Sequence, residues 1–224
     1  GQVSNLVTQA SNYGEQTDVF NGVDVGFTAR FRESGLLQGG VSTGRKVIDV
    51  CYAASLPNIS PSAISAFGLR GFAPLDRNFC RISPPWSAGT QIKLAGSYPL
   101  PWHIDASATF QNLPGSPRSA NIVVTSAQVA PSLGRNLAAG ANGTAIVQVM
   151  PEQTYFENRI TQLDVRFTKS FRVARANVRG MLDIYNILNE RAILASNARY
   201  GPSFRVPTAI MAPRLFKFGA QFDF

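Results

Sequence analysis

No stretch of this chain approaches the roughly 20 consecutive apolar residues that a membrane-spanning helix requires, which excludes a helical membrane protein. Charge is also scarce, at 15% of residues against about 25% in soluble domains. There is a single histidine, His103, and there are two cysteines, too few together for a structural zinc site. No phosphate loop, paired-carboxylate motif or metal-ligand cluster occurs. His103, Asp105 and Ser107 lie two apart, so on a strand they point the same way in a row and do not converge as a catalytic triad must. The chain is read as a non-enzyme without cofactor or metal. The formal net charge is +8, but the basic residues are scattered singly with no run of three, which argues against nucleic acid as a partner. The opening Gly1-Gln2-Val3-Ser4-Asn5 lacks an initiator methionine, a basic region and an apolar region. The expectation is that an export segment was removed or that the chain begins inside a larger one.

What is present is alternation. Successive side chains on a strand take opposite faces, so period two marks a two-sided strand. In the closing stretch Phe216, Phe218, Ala220, Phe222 and Phe224 share one parity, with Lys217, Gly219, Gln221 and Asp223 on the other. The same division separates Val23, Val25, Phe27, Ala29 and Phe31 from Asp24, Gly26, Thr28, Arg30 and Arg32. It recurs from Leu37 to Gly44, from Gln91 to Tyr98, from His103 to Gln111, from Thr161 to Arg172 and from Val178 to Tyr185. Lys169 is the one charge on the apolar parity of its stretch, placed to snorkel to a membrane interface. The expected strands are 16–32, 36–50, 89–99, 102–112, 160–172, 176–188 and 208–224.

Their connections are short after Arg32, Tyr98 and Arg172, and long after Val50, Gln111 and Leu188. Short strands are expected within the second insertion, at Ala120–Val124 and Thr144–Val149, and Asn189–Val206 is read as a third loop. Cys51 and Cys80 fall in the first, proline-rich loop. They either close it as a disulfide, the preferred reading in an oxidising compartment, or stand as two thiols. A terminal Phe after an aromatic ladder would be an aggregation-prone edge in a soluble protein. On a barrel the same face meets lipid.

The closing strand resembles the C-terminal strand of Gram-negative outer-membrane β-barrels, in which Phe216, Phe218, Phe222 and Phe224 would be read by the barrel-assembly machinery. Asn21-Gly22-Val23-Asp24-Val25, Gln38-Gly39-Gly40-Val41-Ser42, Leu163-Asp164-Val165-Arg166-Phe167, Asp183-Ile184-Tyr185-Asn186-Ile187-Leu188-Asn189 and the terminal strand, in that order, are similar to the closing strands of TonB-dependent outer-membrane receptors. The likeness is greatest to the large type with an N-terminal carboxypeptidase-regulatory-like domain, and it spans nearly the whole chain. It implies an all-β fold, an antiparallel transmembrane barrel of which only the C-terminal strands are here, with long extracellular loops and with plug, TonB box and N-terminal strands missing. It further implies a location in the outer membrane and uptake of a bulky solute with energy from TonB through the missing part. The partners would be lipid and lipopolysaccharide. An odd number of strands is expected to leave the barrel incomplete; the alternatives are a missed strand within Gly1–Tyr13 closing a small barrel or porin, or a soluble all-β binding module.

On this reading Asp24, Arg30, Lys93, Asp105, Arg166, Arg179, Asp183 and Lys217 face the lumen. Some touch solute, or, as preferred, they supply lumen electrostatics in cross-strand pairs. Phe67, Phe72, Phe79, Trp86, Tyr155 and Tyr200 either form an aromatic capture surface in the loops or pack the loops on themselves.

Overall fold

The structure, a computed structural model, describes residues 9–12, 14–31, 34–52, 77–173 and 176–223. Arg32, Phe67, Phe72 and Phe224, together with most of the stretch 1–13, lie outside it.

Seven strands form one antiparallel sheet. They are β1 (Thr17–Arg30), β2 (Leu36–Asp49), β4 (Gln91–Leu100), β5 (Ile104–Leu113), β8 (Ile160–Val173), β9 (Ala176–Tyr185) and β12 (Leu215–Asp223), in that spatial order. A two-residue strand, β3 (Arg81–Ile82), adds to β2 beside the first long loop. Among the described residues β1 and β12 are free edges, so the sheet is open.

The register turns seven separate alternations into two continuous faces. Residues opposite one another on neighbouring strands share a face. Val25 pairs with Val41, Leu94 with Phe110, Phe110 with Leu163, Phe167 with Leu182, and Leu182 with Phe218. Every one of these belongs to the apolar parity of its strand. The other face carries Arg166 opposite Asp183 and Asp183 opposite Lys217.

The apolar face is uncovered. Val25 is 63% exposed and Phe218 78% exposed. The buried apolar residues among those described are Ile48, Val50, Cys80, Ile82, Ala120, Ala192 and Met211, all at the long-loop end or in the loops. Among the described residues no second layer packs on the middle of the sheet, as a sandwich would require.

Three expectations change at the strand ends. The closing strand begins at Leu215, not at 208, because Pro207–Ile210 (β11) pairs with Ile193–Ser196 (β10) in a separate hairpin. Pro213, with no N–H to give a ladder, separates the two stretches. The segment read as a third loop therefore holds a strand of its own. β9 stops at Tyr185 because Asn186 turns left-handed, at φ 49°. In the second insertion Asn121–Thr125 (β6) and Thr144–Gln148 (β7) pair with each other. Between them lies an unexpected helix, Ser126–Leu133, started by a capping box of Thr125 and Gln128 and ended by Gly134 at φ 67°.

Cys51 and Cys80 are bonded, their Cα atoms 4.8 Å apart. The bond sits on a small cluster of Ile48, Val50 and Ile82, and the Val50 N–H donates to the Cys80 carbonyl at 3.0 Å. Closing a loop whose ends are 29 residues apart in sequence stabilises by roughly 3–4 kcal/mol on the chain-entropy model. Replacing both cysteines by serine is expected to lower the unfolding free energy by about that much in guanidinium titrations. An unchanged midpoint, with both wild-type thiols titrating as free, would overturn the expectation.

Candidate functional site: the polar face and the loop end

The polar face is built by period two. All eight charged residues expected to share a face do so by register: Asp24 opposes Ser42, Arg30 opposes Leu36, Lys93 opposes Gly40, Asp105 opposes Pro99, and Arg179 opposes Gln221. Arg166, Asp183 and Lys217 occupy one cross-strand row.

That row is the electrostatic centre of the face. The Arg166 guanidinium donates to both oxygens of Asp183, Nε at 2.5 Å and Nη2 at 3.0 Å. The two-bond fork fixes orientation as well as charge. Tyr185 Oη donates to the same carboxylate at 3.4 Å. At the short-turn end Arg179 Nη2 donates to Asp223 at 2.9 Å, and at the long-loop end of the first hairpin Lys46 reaches Asp18 at 2.9 Å. Above the central row lies a groove of about 390 Å³, lined in part by Gln38, Ser97, Ser107, Thr109, Arg166 and Tyr185. Hydroxyls, an amide, a committed ion pair and the further carboxylate of Asp164 give it hydrogen-bonding capacity and one excess negative charge, suited to contact with a polar solute or polypeptide. Ser107 faces Ser97 and Arg166 there, whereas His103 lies in the turn at 101–103 with φ 55°.

The D-x-Y-N-x-x-N segment is the hinge between this face and the loops. Asn186 is 2% exposed. Its Nδ2 donates to the carbonyls of Glu190 and Ala212 at 3.0 and 2.8 Å, and its Oδ1 accepts the Glu190 N–H at 2.9 Å. Its own N–H donates to Asp164 Oδ1 at 2.7 Å, and Gln162 Nε2 donates to that carboxylate as well. Asn189 Oδ1 accepts the N–H of Arg214, whose guanidinium donates back to the Ile187 carbonyl. The segment thus ties the exit of β9 to the approach to β12.

A second knot joins the other strands at the same end. Arg159 donates to Asn112 Oδ1 at 2.7 Å and to the carbonyls of Ser87, Thr90 and Asn112 at 3.0, 2.6 and 3.2 Å. Arg45 stacks over the Trp86 ring at 5.6 Å. Gly89 passes so close to the Gly44 carbonyl that a Cβ there would stand 1.8 Å from its oxygen. The two later loops dock on each other: Asn121 N–H donates to Ala198 O, Tyr200 N–H to Asn121 O, and Ser116 Oγ to Leu194 O. Arg118 is paired with the nearly buried Glu157 at 3.0 Å.

The described loop aromatics occupy separate segments. Phe79 is half-buried in the one-turn helix Arg77–Cys80, Trp86 lies under Arg45, and Tyr155 is exposed in the second loop. Tyr200 has its ring partner in Phe204. Phe216, Phe218 and Phe222 stand exposed on the apolar face. Sequence reasoning passed over Asp164, Arg159 and Asn186 as anchors. Asn186 had a readable signal, an asparagine directly after an alternating run, the residue type that best tolerates the left-handed region after glycine. Arg159 had none, since three of its four acceptors are backbone carbonyls and all four are distant in sequence.

No protein-family model, curated protein or solved structure matches the chain.

Proposed function

We propose that this chain is wall and loops of an outer-membrane β-barrel, the C-terminal portion of a TonB-dependent receptor that takes up a bulky solute. The observation that carries the reading is the continuous apolar face, registered across seven strands and left uncovered. In water such a face is an association hazard, and in a bilayer it is the required surface. The strands run from 9 to 14 residues, and about 9–11 suffice to cross a membrane. The ladder satisfies backbone groups as a bilayer demands, except at two free edges that further strands would complete. The paired charges of the opposite face then line the lumen, and the knotted long-loop end faces outward.

The test is an intact mass on protein recovered from separated inner- and outer-membrane fractions. Recovery in the outer fraction at a mass far above 24.2 kDa is the expected result. A species near 24.2 kDa that stays monodisperse without detergent would overturn the reading in favour of a soluble binding module.

A further inference from the structure

Like charges are brought together at the tip of the third long loop. The segment Arg199-Tyr200-Gly201-Pro202-Ser203-Phe204-Arg205 is nearly symmetric about its centre. The fold closes it on that symmetry. Arg205 N–H donates to the Asn197 carbonyl at 2.9 Å, Phe204 N–H to the Gly201 carbonyl at 3.0 Å, and the Tyr200 and Phe204 rings meet at 5.6 Å between centroids. An arginine therefore stands at each foot of one aromatic pair. Both arginines are exposed, and neither enters the ion pairs found among the described residues.

The tip is held in place. Asn197 Oδ1 accepts the Arg199 N–H at 2.9 Å, and Tyr200 N–H is anchored on Asn121 at 2.8 Å. Arg205 adopts φ 63°, a region that disfavours any residue with a Cβ and where glycine would sit without strain. The surrounding charge is one-sided: segments 114–159 and 186–214 contain seven arginines, no lysine, and three glutamates as their only acids.

We propose that this tip binds an oxyanion, phosphate or carboxylate, carried on a group with a flat or apolar face. Guanidinium forks take two oxygens of such an anion, and the exposed Tyr200 ring, with Phe204 beside it, takes the face. The proposal deepens the receptor reading by naming a ligand class for the outward end, and rests on it only for the direction from which the ligand arrives. Two sources share the chemistry: a soluble solute on its way to the lumen, and the phosphorylated glycolipid of the surrounding leaflet.

The probes are phenyl phosphate, inorganic phosphate and the neutral benzyl alcohol, titrated calorimetrically into the full chain in uncharged detergent, and micelles doped with lipopolysaccharide. Saturable binding of phenyl phosphate that weakens with salt, falls at least tenfold in the Arg199→Gln/Arg205→Gln double variant and persists in Arg135→Gln is expected for a soluble source. Tyr200→Ala should weaken phenyl phosphate more than inorganic phosphate. Saturation by the doped micelles alone, with the same dependence on the two arginines, assigns the glycolipid. Wild-type binding by the double variant, equal binding of benzyl alcohol, or failure of phenyl phosphate, inorganic phosphate and the doped micelles alike to bind would overturn the proposal. Because these titrations need no membrane location, their failure is distinguishable from a failed fractionation.

Discussion

Phe167→Arg, measured by denaturant unfolding in lipid vesicles, is expected to lower stability by about 2–4 kcal/mol, which on the proposed membrane reading is the cost of a guanidinium on the lipid face near mid-bilayer. Phe167 lies at the middle of β8 on the apolar face, flanked by Ala106 and Leu182. The adjacent Thr168 lies on the polar face between Asp105 and Met181. Thr168→Arg is expected to change stability by no more than about 1 kcal/mol, since one step along a strand moves the new charge from the apolar to the polar side and places it opposite a carboxylate. Equal losses at the two positions would remove the membrane reading, because a sheet wet on both faces has no reason to distinguish them.

Asn186→Ala is the second large effect, expected at about 2–4 kcal/mol in the same assay. The substitution removes three side-chain hydrogen bonds in a buried position and leaves the carbonyls of Glu190 and Ala212 short of a donor. It also places a Cβ-bearing residue without local hydrogen bonding in the left-handed region, at φ 49°. Two further variants divide the cost. Asn186→Gly relieves the backbone part alone and should recover about 1 kcal/mol, whereas Asn186→Asp keeps the acceptor for Glu190 N–H and loses both donors. If Asn186→Gly behaved as wild type, the hydrogen bonds would carry no net stability and the hinge reading of this segment would fall.

The strands were legible because a two-sided sheet writes its period into every residue it uses. The run from Val23 to Phe31 and that from Phe216 to Phe222 needed no partner to be read, and their pairing follows from chain order. The loop structure was not legible in the same way. Pro207–Ile210 has the same alternating look as β12, and only its partner, β10, shows that it belongs to the loop. The helix at Ser126 carried a readable Thr125-x-x-Gln128 box, obscured by Pro131 within the same eight residues. On the polar face the parity of Arg166 and Asp183 was open to inspection, but their bidentate contact depends on a register between strands that no single strand encodes. Arg159 marks the limit of such reading, since three of its four bonds go to carbonyls that any residue offers.

The distribution of long loops bears on the order in which the sheet is assembled. The β1–β2, β4–β5 and β8–β9 hairpins close over short turns, whereas the β2–β4, β5–β8 and β9–β12 seams must each bring together strands separated by a long insertion. Each insertion carries a shortcut of its own. The first has the Cys51–Cys80 bond and β3, the second has the β6–β7 ladder and the Pro117–Phe156 bridge, and the third has the β10–β11 hairpin. Once a shortcut forms, the ends of its loop are tethered, and the remaining closure entropy of the seam is that of a much shorter chain. Zippering from hairpin to hairpin is therefore prepared within the loops themselves, so that the long insertions serve as local clamps while the sheet is being laid.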